Sequence, residues 1–243
     1  MTIRHFGLAT ILQKLRNTPL HPQWFAFRRS RRNLRRSCES LSGLVLDIGC
    51  AESKPRHYLG RDAEYVGLDY FDTATGWYKT RPEIFGDAQQ LPLASGVVDH
   101  VLLLDVLEHL PHPEQCLAEI HRVLKPGGTV TIQVPFLYPL HDAPLDFHRW
   151  TRFGLQIAAK RAGFVISSDE AVGHPVETAA LITNIAASKT VLNWVAGRNP
   201  LSLLAILLPL FVVSVNGLAW LTAVFSRAED MMPHAYRMVW SKT

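Results

Sequence analysis

Four aspartates stand at or beside the ends of short apolar runs of the chain: Asp47, Asp69, Asp87 and Asp105. Buried parallel strands are predicted for the apolar runs at 44–48, 65–68, 98–104 and 129–134. Ligands of open α/β sheets bind at the carboxyl ends of the strands, so these carboxylates are placed to meet a ligand. Asp69 follows Asp47 by 22 residues, a spacing at which an acid can accept both hydroxyls of a ribose.

The segments between these runs support the same architecture. Residues 113–124 carry apolar side chains at helical spacing, and Lys125-Pro126-Gly127-Gly128 then ends that helix before the next strand. Small residues follow the first strand, where a ligand must approach the backbone closely: Gly49, Cys50 and Ala51. The pattern predicts a doubly wound α/β fold with βαβ units.

Several motifs occur in a fixed order after the first strand: Gly67-Leu68-Asp69, Gly86-Asp87-Ala88, Asp105-Val106-Leu107-Glu108-His109 and Val123-Leu124-Lys125-Pro126-Gly127-Gly128. In order and spacing, residues 44 to 168 resemble the class I methyltransferases that use S-adenosylmethionine, in the branch related to quinone-biosynthesis methyltransferases. The resemblance implies a seven-stranded Rossmann-like sheet whose last strand is antiparallel. It also implies S-adenosylmethionine as cofactor.

The same resemblance implies where the cofactor would bind. Asp47 and Gly49 would lie by its methionine end, Asp69 at the ribose, Asp87 at the adenine amino group, and Asp105 in the methyl-donor pocket. The full set of implied cofactor residues is Asp47, Gly49, Cys50, Ala51, Asp69, Tyr70, Asp87, Ala88 and Asp105.

The first loop departs from the pattern of that family. The family has Asp-x-Gly-x-Gly-x-Gly, whereas this chain has a single glycine in Asp47-Ile48-Gly49-Cys50-Ala51-Glu52-Ser53. Glu52 and Lys54 make the loop bulkier. A non-catalytic copy of the fold is therefore an alternative. A nicotinamide-binding Rossmann domain is disfavoured because G-x-G-x-x-G is absent.

Methyl transfer to a hydroxyl requires alignment in a dry pocket and a base for the hydroxyl proton. Candidate bases near the carboxyl edge of the sheet are His109, His141, Asp142, Asp146 and His148. His109 has a second interpretation, in which Glu108-His109 is a capping or packing pair.

The segment Asp146-Phe147-His148-Arg149-Trp150-Thr151 resembles the Asp-Tyr-x-Arg-Phe-Thr signature of a methyltransferase subgroup. One interpretation is a lid over the substrate, with His148 and Arg149 turned to the acceptor. The other is a structural ion pair of Arg149 with Asp146, which caps a helix beginning near Thr151. The predicted catalytic residues are therefore His109, His148, Asp146 and Arg149.

Composition limits the class of protein. The chain has 243 residues, of which 48% are hydrophobic and 19% charged, as expected of a globular chain that can bury a core. Its three cysteines, Cys38, Cys50 and Cys116, form no C-x-x-C pair, so neither a disulfide framework nor a metal site is predicted. A reducing, cytoplasmic location is expected.

Charge is unevenly distributed along the chain. Residues 1–38 contain nine of the 25 Lys and Arg residues and no acidic residue. Six of these arginines occur within residues 28–36, directly after Trp24, Phe25 and Phe27. This basic segment, residues 1–38, is predicted to bind an anionic surface, either lipid or nucleic acid. The alternative is a solvated basic helix face.

Residues 201–225 form an uncharged run of 25 residues, which as one helix would reach about 37 Å. Three interpretations remain open: a membrane span, a helix or broken helical pair in one leaflet, and an internal core helix. The resemblance to the methyltransferases implies strands at 165–168 and 236–242, which would flank the run, so both of its ends must lie on one side of a membrane. This favours an insertion that dips into the cytoplasmic leaflet, bent at Pro209 or Asn216-Gly217.

The predicted organisation is a basic extension at 1–43 and a methyltransferase domain at 44–243, with an apolar helical insertion at 175–230. The predicted function is methyl transfer from S-adenosylmethionine to a small, amphipathic or lipid-linked acceptor, at oxygen, by a protein attached peripherally to the cytoplasmic membrane face. One rival is a non-catalytic, membrane-associated module. The other is a nucleic-acid methyltransferase, which lacks an Asn-Pro-Pro-Tyr-like motif after the fourth strand. Oligomeric state is not predicted.

Overall fold

The computed structural model describes residues 15–243, so the first fourteen residues of the predicted basic extension lie outside the described part. The chain divides into two compact units. One contains the described residues up to Arg32 together with Val172–His234, and the other contains Asn33–Ala171 and Ala235–Thr243. Residues 33–43 of the predicted extension thus belong to the second unit.

The second unit is built on a seven-stranded sheet with the order β3-β2-β1-β4-β5-β7-β6. The strands are β1 Gly43–Ile48, β2 Ala63–Asp69, β3 Ile84–Phe85, β4 Val98–Leu104, β5 Leu124–Pro135, β6 Phe164–Val172 and β7 Ala235–Lys242. Strands β1 to β5 pair in parallel, whereas β7 runs antiparallel to β5, with Ile132 opposite Met238. The predicted mixed Rossmann-like sheet with its antiparallel last strand is confirmed.

Both faces of the sheet are covered by apolar side chains. Neighbouring strand residues point to opposite faces, and Val45 and Leu46 accordingly belong to different buried clusters. Val45 packs with Leu34 and Cys38 of helix α1, Trp24–Cys38, while Leu46 belongs to the larger core. The last turns of the arginine-rich helix therefore cover the sheet.

Two further helices belong to the second unit, α2 Pro113–Val123 and α3 Arg152–Arg161. Helix α2 matches the prediction at 113–124 and buries its apolar face, including Cys116 and Ile120. Helix α3 begins after Thr151, whose hydroxyl accepts a hydrogen bond from the Gly154 amide at 3.0 Å. The first two crossovers contain only short helices, a 3-10 helix at Lys54–Tyr58 and a π-helix at Thr73–Tyr78. A 3-10 turn at Leu107–His109 follows β4.

The first unit contains a helical hairpin. Helix α4, Pro175–Ala196, is followed by a 3-10 helix at Pro200–Leu207 and helix α5, Leu208–Phe225. The chain reverses between α4 and Pro200. Asn216 and Gly217 lie inside α5, so a bend at Asn216-Gly217 is wrong, because the α-helix continues through both residues.

A buried polar contact joins the two arms of the hairpin. The Asn184 side-chain amide donates to the Asn216 side-chain oxygen at 2.9 Å, and the Asn216 amide donates to the Pro19 carbonyl at 2.7 Å. Both asparagines are fully buried. On α1, the Arg29 guanidinium pairs with Glu177 of α4. Directional contacts of this kind fix the register of the two arms.

The outer surface of the hairpin is apolar and exposed. Within Pro200–Phe225, an apolar stretch of 18 residues has a mean hydropathy of 2.3, and only 11% of that stretch is buried. Leu203, Ile206 and Phe225 are each more than 80% exposed. This exposure contradicts an internal core helix for residues 201–225.

Candidate functional site

A cleft of about 380 Å³ lies at the carboxyl ends of β1, β2, β3 and β4. Six of the nine predicted cofactor residues line it: Gly49, Asp69, Tyr70, Asp87, Ala88 and Asp105. Of the predicted catalytic residues, His109 lines it. Strand ends that are far apart in sequence therefore meet at this edge, as the spacing of the aspartates predicts.

The Asp69 carboxylate organises one side of the cleft. It is buried, and its two oxygens accept hydrogen bonds from the backbone amides of Ala51 and Tyr70, at 2.9 and 2.8 Å. Burial raises the pKa of Asp69. An acceptor fixed in this way at the end of β2 suits a pair of vicinal hydroxyls.

The glycine-poor loop after β1 keeps a backbone shape that glycine favours. Gly49, Ala51 and Ser53 have φ angles of 70°, 46° and 52°. Ala51 and Ser53 occupy the alternate positions at which the family has glycine, and each non-glycine residue in this conformation costs about 1 kcal/mol. The loop therefore preserves the left-handed turns without the glycines.

Gly49 itself has no room for a side chain. A Cβ atom at this position would lie 2.4 Å from the Val106 Cγ2 atom, and the positive φ adds strain. Glu52 and Lys54, in contrast, are half exposed and form an ion pair at 2.6 Å. Neither Glu52 nor Lys54 lines the cleft, so the bulkier loop leaves the cleft open.

Asp47, Cys50 and Ala51 do not line the cleft. Asp47 is 3% exposed, and its carboxylate accepts a hydrogen bond from the Tyr65 hydroxyl at 2.7 Å. Burial raises the pKa of Asp47 to about 7, and the hydrogen bond from Tyr65 limits the rise. Asp47 thus lies beneath the loop as a buried, weakly acidic group.

This carboxyl group makes folding pH-dependent. Between its ordinary pKa of 3.8 and about 7, Asp47 holds its proton in the folded state and loses it in the unfolded state, so its contribution to stability falls as the pH rises. Asp47→Asn removes this loss. Relative to the original protein, the variant should gain up to about 4 kcal/mol between pH 4 and pH 8, because each pKa unit is worth about 1.4 kcal/mol.

Urea unfolding at several pH values would measure the gain. Asp62→Asn serves as the matched control, because it makes the same change at an exposed aspartate. A constant stability difference between Asp47→Asn and the original protein across that range would contradict the raised pKa.

The predicted adenine side of the cleft contains Asp87 and Ala88. The Asp87 carboxylate accepts a hydrogen bond from the Gln89 amide at 2.8 Å, and Gln89 also lines the cleft. The π-helix at Thr73–Tyr78 adds Trp77 and Tyr78 to the lining. These two aromatic residues were missed by the sequence analysis, because nothing in their spacing marks a helix of this unusual type.

The other end of the cleft carries charged and imidazole groups. Asp105 accepts a hydrogen bond from the Gln133 side-chain amide at 2.9 Å. The His109 Nε2 atom lies 3.7 Å from a Glu108 carboxylate oxygen and 4.0 Å from Asp142. Glu108 is fully buried, which raises the pKa of its carboxyl group well above the usual value. From the sequence, Glu108 was expected only to cap or pack with His109.

The predicted catalytic residues Asp146, His148 and Arg149 lie outside the cleft lining. Both terminal nitrogens of the Arg149 guanidinium donate to the Asp146 carboxylate, at 2.5 and 2.6 Å. The guanidinium also donates to the carbonyls of Tyr138, Pro139 and His148. Arg149 holds the pKa of Asp146 well below its usual range.

These contacts fix the loop from which Leu145 and Phe147 reach the cleft. The Phe147 and His148 amides both donate to the Glu108 carbonyl, at 2.9 and 3.2 Å. The ring of His148 packs beside Trp150, with their centroids 5.8 Å apart. The geometry therefore matches the structural ion pair, the second of the two interpretations of this segment.

Known methyltransferases are similar to this chain over the region that forms most of the sheet and the cleft. Residues 46–132 match the family model described as a methyltransferase domain. A probable S-adenosylmethionine-dependent methyltransferase of Mycolicibacterium smegmatis is 31% identical over 56% of this chain and 58% of its own length. A fatty-acid O-methyltransferase of the same organism is 32% identical over 49% of this chain and 46% of its own length. The chain thus spans about half the length of these curated relatives.

Solved structures match a larger share of the chain, but at lower sequence identity than the curated relatives. An S-adenosylmethionine-dependent methyltransferase from Archaeoglobus fulgidus has a TM-score of 0.57 and 15% identity, covering 97% of this chain and 99% of its own. The [4+2]-cyclase SpnF has a TM-score of 0.55 and 18% identity, covering 90% of this chain and 82% of its own. At this identity they support the fold. The match of residues 46–132 to a methyltransferase-domain model and the similarity to S-adenosylmethionine-dependent methyltransferases support membership of this region in the class I S-adenosylmethionine-dependent methyltransferase superfamily.

Proposed function

We propose that this protein transfers a methyl group from S-adenosylmethionine to an oxygen of an amphipathic or lipid-linked acceptor. The observation that carries the proposal is the cleft, which brings Asp69, Asp87 and Asp105 to one sheet edge in the order expected for ribose, adenine and methyl donor. The left-handed loop after β1 favours a working cofactor site over the non-catalytic alternative.

The apolar side of the cleft supports an apolar or amphipathic acceptor. Trp77, Leu110, Leu145 and Phe147 all contribute to its wall. Curated relatives include proteins named as a fatty-acid O-methyltransferase and as sterol 24-C-methyltransferases, so lipid acceptors occur among similar chains. Exclusion of water by apolar side chains also favours displacement at the methyl carbon.

Methyl transfer to a hydroxyl or carboxyl oxygen requires that oxygen to be unprotonated and in line with the sulfonium. His109 is the predicted catalytic residue that reaches the cleft. Its Nδ1 atom lies 2.8 Å from the Leu145 carbonyl oxygen, which favours a proton on Nδ1 and leaves the Nε2 lone pair free. We assign to His109 the activation of the acceptor oxygen, and to Arg149 and Asp146 the positioning of the loop.

We further propose that the protein acts at the cytoplasmic membrane face. The exposed apolar hairpin supplies one anchor, and the arginines of α1 supply attraction to anionic lipid. Arg28, Arg31 and Arg32 are exposed, and the Arg28 guanidinium lies 5.4 Å from the centre of the Trp24 ring. Two such signals give firmer attachment than either alone.

The activity is tested with methyl-labelled S-adenosylmethionine and vesicles made from a total lipid extract supplemented with free fatty acids. Label should enter the organic phase, and methyl esters should release it as methanol in mild base. Label that enters lipid but resists base indicates a methyl ether or a C-methyl product and excludes fatty-acid ester formation. Failure of a folded protein to label any lipid while binding the cofactor would overturn the proposed acceptor class.

A further inference from the structure

Three side chains at the donor end of the cleft converge on one point, and we call them the Glu-His-His cluster: Glu108, His109 and His141. The Nε2 atoms of His109 and His141 lie 3.7 and 3.8 Å from the same Glu108 oxygen. One ligand atom from each residue lies within 4.8 Å of the others. The cluster therefore presents two imidazole nitrogens and one carboxylate oxygen to a common space.

The Glu108 carboxyl group lacks the contacts that a buried carboxyl group normally has. It is 0% exposed, and among the described residues neither of its oxygens has a hydrogen-bond partner. Leaving such a group buried without partners is costly, and native proteins compensate buried carboxylates by pairing or by metal coordination. A bound cation would supply the missing contact.

The two histidines are oriented from behind by other oxygen atoms. The Nδ1 atom of His109 lies 2.8 Å from the Leu145 carbonyl oxygen, and Nδ1 of His141 lies 3.2 Å from an Asp146 oxygen, an ion-pair contact without the angle of a hydrogen bond. Asp146 is itself held by both terminal nitrogens of Arg149. Metal-binding histidines typically direct one ring nitrogen to a carboxylate or carbonyl in this manner, which leaves the other nitrogen for the metal.

We propose that the Glu-His-His cluster binds a divalent first-row transition metal ion such as Zn²⁺. Two imidazoles and one carboxylate suit such ions, whereas Mg²⁺ and Ca²⁺ prefer oxygen ligands. Ligands about 2.1 Å from one ion are about 3.0–3.4 Å apart. The two separations between Glu108 and the histidines therefore need to close by a few tenths of an ångström, and the one between the histidines, which is within 4.8 Å, by at most about 1.5 Å. Three protein ligands leave coordination positions open.

The role of this ion rests on the proposed function. His109 and Asp142 line the cleft, so an open coordination position can take the acceptor oxygen. The bound hydroxyl loses its proton to solvent or to Asp142. The oxygen then forms a bond to the methyl carbon while the carbon–sulfur bond breaks, and its electron pair stays on the sulfur of S-adenosylhomocysteine. His109 thereby activates the acceptor through the ion rather than as a free base.

Binding is measured on untagged, full-length protein stripped with a chelator, by calorimetric titration with Zn²⁺ and by absorption during titration with Co²⁺. We expect one equivalent to bind with micromolar or tighter affinity, and Co²⁺ to give visible bands of a nitrogen- and oxygen-coordinated site. Glu108→Gln and His141→Ala should each weaken binding at least tenfold. Asp146→Asn should weaken it less, because Asp146 orients His141 without touching the ion.

His57→Ala is the matched control, since His57 is exposed and outside the cluster. Circular dichroism and cofactor titration show whether each variant is folded. Absence of stoichiometric binding to the original protein, or binding that Glu108→Gln and His141→Ala leave unchanged, overturns the metal site. Cofactor binding without metal binding overturns the metal site alone, and metal binding without cofactor binding overturns only the proposed function.

Discussion

Replacing Asp69 with alanine should weaken binding of S-adenosylmethionine about 100-fold. The Asp69 carboxylate lies at the end of β2, inside the cleft, where the resemblance to the superfamily implies the ribose of the cofactor. Two hydrogen bonds from hydroxyls to a charged acceptor contribute about 1.5 kcal/mol each, and a loss of about 3 kcal/mol corresponds to that factor. Isothermal titration of the purified protein and of the variant measures it directly.

Asp69→Ala is not expected to unfold the protein. Burial raises the pKa of Asp69, so removing the carboxylate relieves a desolvation cost, although the amides of Ala51 and Tyr70 lose their acceptor. Asp62→Ala is the matched control because Asp62 is exposed and outside the cleft. Equal affinity for Asp69→Ala and the original protein would contradict the assignment of the ribose site. Failure of the folded original protein to bind would establish the non-catalytic alternative.

The order of the strand ends could be predicted because each carries a local pattern. Asp47, Asp69 and Asp105 follow apolar runs, and a parallel sheet must bring such ends to one edge. Asp47, which is buried and bonded to Tyr65, and Asp69, which lines the cleft, have the same pattern in the sequence. Residues at or near the ends of neighbouring strands differ in the direction of their side chains, which a single sequence does not reveal.

Other features depend on contacts between distant segments. The role of Glu108 depends on the approach of the loop that carries His141, because the 32 residues between them carry no metal-ligand spacing. The sequence is equally compatible with an Arg149 side chain that faces the acceptor. In the structure, Arg149 instead donates hydrogen bonds to Asp146 and to three backbone carbonyls. The conformations of Ala51 and Ser53 are likewise imposed by the surrounding fold rather than by local preference.

The hairpin yields the second large prediction. Leu203→Asp combined with Ile206→Asp should reduce attachment to vesicles of mixed neutral and anionic lipid at least 100-fold. Both side chains are more than 80% exposed, and inserting each into lipid contributes about 1.5–3 kcal/mol, which the substitution removes while adding a charge. Flotation of the purified protein with vesicles measures the bound fraction.

The matched control replaces two exposed apolar residues elsewhere. Phe153→Asp with Val165→Asp introduces the same charges in the sheet-containing unit, and it should float with the vesicles as the original protein does. Unchanged cofactor affinity shows that both double variants remain folded. Equal flotation of the hairpin variant and the original protein would contradict insertion of this surface, as would failure of the original protein to float.

If the hairpin inserts into a membrane as proposed, the chain's connectivity favours insertion without crossing. Strands β6 and β7 are neighbours in the sheet, and the segment between them, Gly173–His234, contains the whole hairpin. A single crossing would separate the two strands, whereas a hairpin leaves and returns on one side. High salt should therefore weaken vesicle binding by screening the arginines of α1, yet leave a substantial apolar contribution. Complete release by salt would assign attachment to the arginines alone.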